Sequence, residues 1–288
     1  MDIQNSLYKL CVKSKNNINS MELIRGVKTS NILVVYTIPR TKEQKSTLDL
    51  VKNTLESHKL NYKLANRDNL NKNQFKNINL AIAVGGDGTF LRAAQFIGNQ
   101  LLFGVNSDAA NKEGFFMRSY KRDFERKLKK IMKGGFKIKK LPRLEAYINN
   151  KRIETLALNE FFIGARKSYH AAKYFIQIGS KKERQKSSGI LATTPAGSNA
   201  WAKSCCKKTL PLSSKNYQFV VREPYKGRVF KNYKLSYGIL KKSQKIKIIS
   251  EMLDGVLVAD SVSKEYSLKN GSKAVIKLSS KHLNAIWE

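Results

Sequence analysis

Cysteine and histidine are scarce in this 288-residue sequence, at three each. The cysteines, Cys11, Cys205 and Cys206, form no Cys-x-x-Cys pair, and a disulfide between the adjacent two would be badly strained. This points to a reducing compartment. His58, His170 and His282 lie far apart, with no His-Glu-x-x-His or Cys/His cluster, so a built-in zinc site is not expected. No apolar run approaches the roughly 18 residues needed to cross a bilayer, which predicts a soluble chain without a membrane partner. Acidic residues are few as well: 21 Asp and Glu stand against 55 Lys and Arg, for a net charge of +34. Such a charge attracts polyanions. Nucleotides, nucleic acid and anionic membranes all qualify, and a Lys-rich habit of the whole proteome would give the same balance.

The 41% apolar fraction is slightly below the globular norm, and the length allows one large or two moderate domains. Residues 1–28 hold several lysines with Asp2 and Glu22 and lack the apolar core of a secretory signal. They read as an N-terminal extension, with an organelle-targeting arm left open; the expected location is cytoplasmic. From residue 31 onward, short β-branched runs at 31–39, 62–64, 78–84 and 101–105 alternate with helical patterns. One helix starts at a capping box, Thr41 with Gln44, and carries Leu48, Val51 and Leu55 on one face; another is expected over 120–132. Strands alternating with helices imply an α/β domain with a parallel sheet. After Gly134-Gly135 the patterning turns to period two, over 136–148, 151–163, 173–179, 245–250 and 256–259, with an Asp254-Gly255 turn. With further turn signals at Asn149-Asn150 and Asn270-Gly271, and Asp254-Gly255 readable as a hairpin turn, that predicts a second, mainly β domain.

Residues 81–94 read AIAVGGDGTFLRAA. Gly85, Gly86 and Gly88 leave backbone exposed between a strand and a helix, where an open α/β sheet binds ligands. Amides at a helix start favour phosphate. Neither a Walker A loop nor a G-x-G-x-x-G fingerprint is present. Asp87 would repel a phosphate, so its place among glycines suggests chemistry: a carboxylate there can orient a hydroxyl and accept its proton during phosphoryl transfer.

The GGDGTFL stretch resembles the signature of the superfamily that joins NAD kinases with diacylglycerol and sphingosine kinases and, more distantly, phosphofructokinase. Leu158-Asn159-Glu160 and the segment TPAGSNAW from Thr194 to Trp201 are similar to the N-E and T-P-T-G-S-T-A-Y motifs of NAD kinases. The QKSSG, VREP and GVNSD stretches that begin at Gln185, Val221 and Gly104 look like the mitochondrial-type branch. The resemblance spans residues 31 to 278. It implies a Rossmann-like α/β domain over 29–133 that binds nucleotide phosphate, and a mainly β NAD-binding domain over 134–288 whose C-terminal segment returns to the first.

The same resemblance implies ATP-dependent phosphorylation of NAD to NADP, with Mg²⁺ or another divalent cation carried by ATP. Asp87 would be the proton acceptor for the adenosine ribose 2′-hydroxyl, with Gly85, Gly86, Gly88 and Thr89 lining the phosphate path. Arg92 would pair with phosphate or stand as a surface arginine. Asn159 and Glu160 would hold adenine and ribose, and Asn199, Ala200, Trp201 and Ser204 would line the NAD site. His170 falls near a basic position of the family and reads first as a structural histidine. Ser188 stands where the common form has aspartate, which alters a contact at the nicotinamide end; Ala196, Asn199 and Trp201 also depart from the motif. No protein-held metal is expected, and homo-oligomers, dimers or tetramers, are. The rivals are a lipid kinase, which shares GGDGT but leaves the other two motifs unexplained, and a non-catalytic nucleic-acid-binding protein suggested by charge alone.

Overall fold

The computed structural model describes residues 31–231, 233–261 and 264–287; the extension expected over 1–28 and Cys11 lie outside them. In chain order the elements are β1 (Ile32–Tyr36), α1 (Lys42–Ser57), β2 (Tyr62–Asn66), β3 (Leu80–Gly85), α2 (Asp87–Ala94), β4 (Leu101–Asn106), β5 (Ser119–Tyr120), α3 (Phe124–Met132), β6 (Ile138–Leu141), β7 (Leu144–Ile148) and β8 (Lys151–Arg152). There follow β9 (Glu160–Ala165), β10 (Ala172–Ile178), β11 (Lys181–Ser187), β12 (Gly189–Thr193), α4 (Trp201–Cys206), β13 (Tyr217–Arg222), β14 (Tyr237–Leu240), β15 (Ile246–Ser250), β16 (Gly255–Ala259), β17 (Tyr266–Ser267), β18 (Lys273–Leu278) and β19 (Leu283–Ile286). Two compact units divide the chain: one runs to Lys139 and takes in the stretch from Asn284, the other is Lys140–Leu283.

The first unit is built on a sheet in the order β2-β1-β3-β4-β19-β6, with β5 beside β4. The pairings of β1 with β2 and β3, and of β4 with β3, β5 and β19, are parallel. Parallel strands covered on both faces need apolar residues at every position, and β3 and β4 are buried throughout. Val51 and Leu55 of α1 are fully buried against this sheet, with Leu48 partly so. Thr41 caps α1 by accepting from the Gln44 N–H, while the Gln44 side chain reaches back to the Arg40 N–H rather than to Thr41. The last helix starts at Phe124, four residues later than the pattern suggests. Asp123 accepts from Ser119 Oγ and the Tyr120 N–H, which keeps 119–120 extended as a strand beside β4.

The second unit stacks two six-stranded antiparallel sheets, β11-β10-β15-β18-β7-β8 and β14-β13-β12-β9-β16-β17, around one apolar core that draws on both and includes Phe161, Tyr174, Tyr217, Phe219 and Ile248. The run 136–148 is not one strand. Pro142 lacks the N–H a continuous strand would use, so β6 joins the first sheet and β7 the second. Likewise 151–163 divides into β8 and β9, because residues 158 and 159 take their partners elsewhere, as described below.

Candidate active site

In the first unit the sheet order reverses between β1 and β3, one leading outward to β2 and the other to β4. A crevice at the carboxyl ends of strands is expected at such a switch point, and the GGDGT turn lies at the end of β3. The turn is tighter than the sequence suggests. Gly85 closes β3, Gly86 is the helix cap, and α2 begins at Asp87 itself, so Gly88 and Thr89 stand in its first turn. Two of the glycines make room for the protein's own side chains: a Cβ on Gly85 would lie 2.3 Å from Thr89 Oγ1, and one on Gly86 3.0 Å from Lys112 Cδ. Only at Gly88 is the space open, with Arg67 Nη1 3.6 Å away as the nearest group.

Asp87 is half-buried and held at both oxygens. Phe115 N–H donates to Oδ2 at 2.9 Å and Phe116 N–H to Oδ1 at 2.8 Å. Gly114, at φ +70°, turns the chain so that both amides face the carboxylate, and the Phe116 ring stacks on Phe90 of α2 at 4.9 Å. A carboxylate oxygen accepts two hydrogen bonds, so each oxygen keeps capacity for a substrate hydroxyl while the side chain is fixed.

Cations gather at the same helix start, and sequence reasoning missed them. Arg67, in the connection after β2, donates to Thr89 Oγ1 at 3.3 Å. Lys112 runs its stem over Gly86 and donates to Ser107 Oγ at 3.0 Å; burial lowers its pKa from the ordinary lysine value. Arg92 is turned toward Asp68, 3.7 Å away, which Arg67 also pairs with. No local motif marks Arg67 or Lys112, since only the fold brings both loops to the β3 end. A cleft of about 720 Å³ opens beside this point, lined by Asn106, Asp108, Lys112, Glu43 and Tyr120 among others. It belongs to the α1 and α3 side of the sheet, and no GGDGT residue lines it.

In the second unit the Asn-Glu and Thr-Pro-Ala-Gly-Ser segments pack directly on each other. Thr194 N–H donates to Asn159 O at 2.9 Å and Thr194 Oγ1 to Leu158 O at 2.6 Å. Gly197 must be glycine here, because a Cβ would fall 2.0 Å from Asn159 O. The amides of the Gly197-Ser198 turn, expected to face a ligand, are used internally: Thr194 Oγ1 accepts from Gly197 N–H and Thr194 O from Ser198 N–H. What this region offers is three side-chain atoms. Asn159 Oδ1, Glu160 Oε2 and Thr193 Oγ1 are buried and have no hydrogen-bond partner among the described residues, and Thr193 sits opposite Glu160 in the β9–β12 register. Orphaned buried polar atoms are costly, and these three retain the capacity to bond a ligand.

Asp260, absent from any motif read in the sequence, completes this cluster. Fully buried, it accepts from the backbone N–H groups of Leu158, Asn159 and Glu160. Burial, and then the charge of Asp260, push the Glu160 carboxyl up to about 8; burial raises Asp260 to about 7 against the pull of its three amides and of Arg143. The three amide donors favour charge on Asp260, while Glu160 has no such donors at Oε2. Both carboxyls bind protons more tightly folded than unfolded, so their contribution to stability is fully present at acid pH and lost as pH rises toward 8. Urea denaturation across this range should show stability falling by about 1.4 kcal/mol per pH unit for each proton so held, and Glu160→Gln should remove the Glu160 share of that slope while leaving that of Asp260.

The remaining residues separate. Trp201, at the start of α4, stacks on Phe162 at 5.4 Å and lies 4.5 Å from the Arg222 guanidinium. Arg222 is itself 5.9 Å from Phe162, too near for the two to sandwich the indole from opposite faces. Asn199 Nδ2 donates to Pro195 O, and Ala200, partly buried, links the turn to α4. Ser188 is paired with Arg222 through its backbone, donating to Arg222 O at 3.0 Å. Ser204 is exposed. So is His170, which is no core histidine: it packs edge-on against exposed Tyr169 in a turn. Asp254 does stand in the turn before β16, where Arg166 grips its carboxylate.

The family model described as the ATP-NAD kinase N-terminal domain matches residues 12–136, beginning inside the stretch expected as an extension. A relative named "Probable NADH kinase" from Oryza sativa subsp. japonica is 26% identical over 258 residues, 82% of this chain and 79% of that protein. Two solved structures share the fold: an NAD kinase from Archaeoglobus fulgidus in complex with ATP (TM-score 0.73, 20% identity, 89% of this chain and 93% of that one) and yeast NADH kinase complexed with NADH (TM-score 0.75, 17% identity, 90% and 83%). No helix among the described residues is long and apolar enough to cross a membrane. A family match over the first unit and a likeness that extends through the second make this chain similar to NAD kinases along most of its length.

Proposed function

We propose that the chain transfers the γ-phosphate of ATP to the adenosine ribose 2′-hydroxyl of NAD, releasing ADP and NADP. The observation that carries this reading is Asp87, an immobilised carboxylate at the first position of a helix whose start is crossed by Arg67 and Lys112. The helix amides and the two cations favour the triphosphate. As the new O–P bond forms and the bond to ADP breaks, the hydroxyl proton passes to an Asp87 oxygen. Asn159 Oδ1 accepts from, and protonated Glu160 donates to, the nucleotide's adenine edge or ribose diol. Trp201 supplies a ring face, while His170 and Ser204, both exposed, have no assigned contact. Mg²⁺ bound to ATP would spread charge off the transferring group. The reading includes a cytoplasmic, homo-oligomeric enzyme of the mitochondrial-type branch, to be checked by fractionation and light scattering.

Purified protein given NAD and Mg-ATP is expected to make NADP, detected with an NADP-specific dehydrogenase. NADH and diacylglycerol run in parallel test the substrate, and product from diacylglycerol alone refutes the reading. Gly88 gives a sharper check on the phosphate path. Because space at Gly88 is open, Gly88→Ala should leave thermal stability unchanged or raise it by about 0.5–1 kcal/mol. A methyl in the path of a phosphate should nevertheless raise KM for ATP by about tenfold or more, the equivalent of about 1.4 kcal/mol.

A further inference from the structure

We propose that Asp260 is a positioning residue for the nucleotide-holding pair Asn159 and Glu160, its carboxylate gripping three consecutive amides so that the two side chains point to the ligand. The inference rests on the nucleotide-holding role proposed above. Residues 158 and 159 precede β9, so no sheet ladder orders them. Asp260 does so: Oδ2 accepts from Leu158 N–H at 2.9 Å, and Oδ1 from Asn159 N–H at 2.6 Å and Glu160 N–H at 3.1 Å. In return the Asp260 N–H donates to Glu160 O at 2.9 Å. To present its side chain in this way Asp260 adopts φ +54°, a left-handed conformation uncommon outside glycine that aspartate tolerates better than most residues.

On the opposite side Thr194 takes the carbonyls of Leu158 and Asn159. With the amides held by the Asp260 side chain and the carbonyls by the hydroxyl and the backbone N–H of Thr194, the segment is fixed on both sides. The polar atoms that the clamp leaves unused are Asn159 Oδ1 and Glu160 Oε2, the two that would meet the nucleotide. Arg143, buried beside the cluster, is fixed by the carbonyls of Lys281 and His282 and supplies the charge that offsets the buried carboxylate. A clamp serving only stability would have no reason to end in unpartnered oxygens.

The test is Asp260→Asn in the full chain, with Asp260→Ala in case the amide compensates. Asn keeps an acceptor for two amides and turns an N–H₂ toward the third. Steady-state kinetics are expected to show KM for NAD raised by about tenfold with KM for ATP changed less than about twofold, the loss of one well-made charge-assisted hydrogen bond. Amide hydrogen exchange without nucleotide should show Leu158, Asn159 and Glu160 exchanging at least about tenfold faster. Unaltered exchange at these amides overturns the proposal, as does faster exchange with an unaltered KM for NAD, or an equal rise in both KM values. A wild type that makes no NADP defeats the kinase reading instead, and the exchange result then decides on the clamp by itself.

Discussion

Asp87→Asn is expected to slow phosphoryl transfer to NAD by about 10²–10⁴, the usual contribution of a positioned general base, with KM for both substrates little changed. The substitution has a second, smaller consequence. Asn presents one acceptor and one N–H₂ group, whereas the carboxylate accepts from both Phe115 and Phe116. One of those amides will face a donor and lose its partner, which costs about 1–3 kcal/mol and should lower the melting temperature by several degrees. The two effects separate by measurement: kcat from the NADP assay, and stability from thermal unfolding of the same sample. Phe116→Ala, which removes the stacking on Phe90 but leaves the backbone donor, should destabilise without so large a loss of rate.

Gly197→Ala should be the most damaging single methyl in the second unit. Its Cβ would lie 2.0 Å from Asn159 O and 2.4 Å from Asn159 C, and no rotamer change relieves a clash between backbone atoms. Asn159 O is also the acceptor for Thr194 N–H, so moving it breaks the contact that joins the two segments. Overpacking of this kind costs about 1–3 kcal/mol and occasionally more, and the displaced Asn159 should raise KM for NAD by about tenfold or more. Against Gly88→Ala, where the fold is expected to be unharmed, the pair distinguishes a glycine required by packing from one required by a ligand.

How much of this could be read beforehand follows from what each residue contacts. Asp87, Asn159, Glu160 and the Thr194 to Trp201 segment stand in short strings whose composition is set by backbone geometry, and such strings remain visible in sequence. The parallel sheet was legible because β1, β3 and β4 are short β-branched or apolar runs separated by helical spacing; the alternation after Gly134-Gly135 announced the antiparallel sheets. Arg67, Lys112 and Asp260 were invisible. Each lies in a loop or at a strand end with no pattern of its own, and reaches its target only through strand order: Arg67 by β2 lying beside β1, Asp260 by β16 pairing with β9. The same limit explains the glycines, whose need for space was legible although the occupants of that space, Thr89 and Lys112, were not. The run 136–148 reads as one strand because β-type patterning continues on both sides of Pro142, whose missing N–H is what divides it into β6 and β7.

The most direct test of the central claim follows transfer from γ-labelled ATP in a single turnover, with wild type and Asp87→Asn side by side and the product position assigned by phosphorus NMR. The wild type should place the label on the 2′-oxygen of the adenosine ribose of NAD, and the variant should do so more slowly by about a hundredfold or more. Label on any other acceptor, or transfer by the variant at the wild-type rate, would contradict the role given to Asp87.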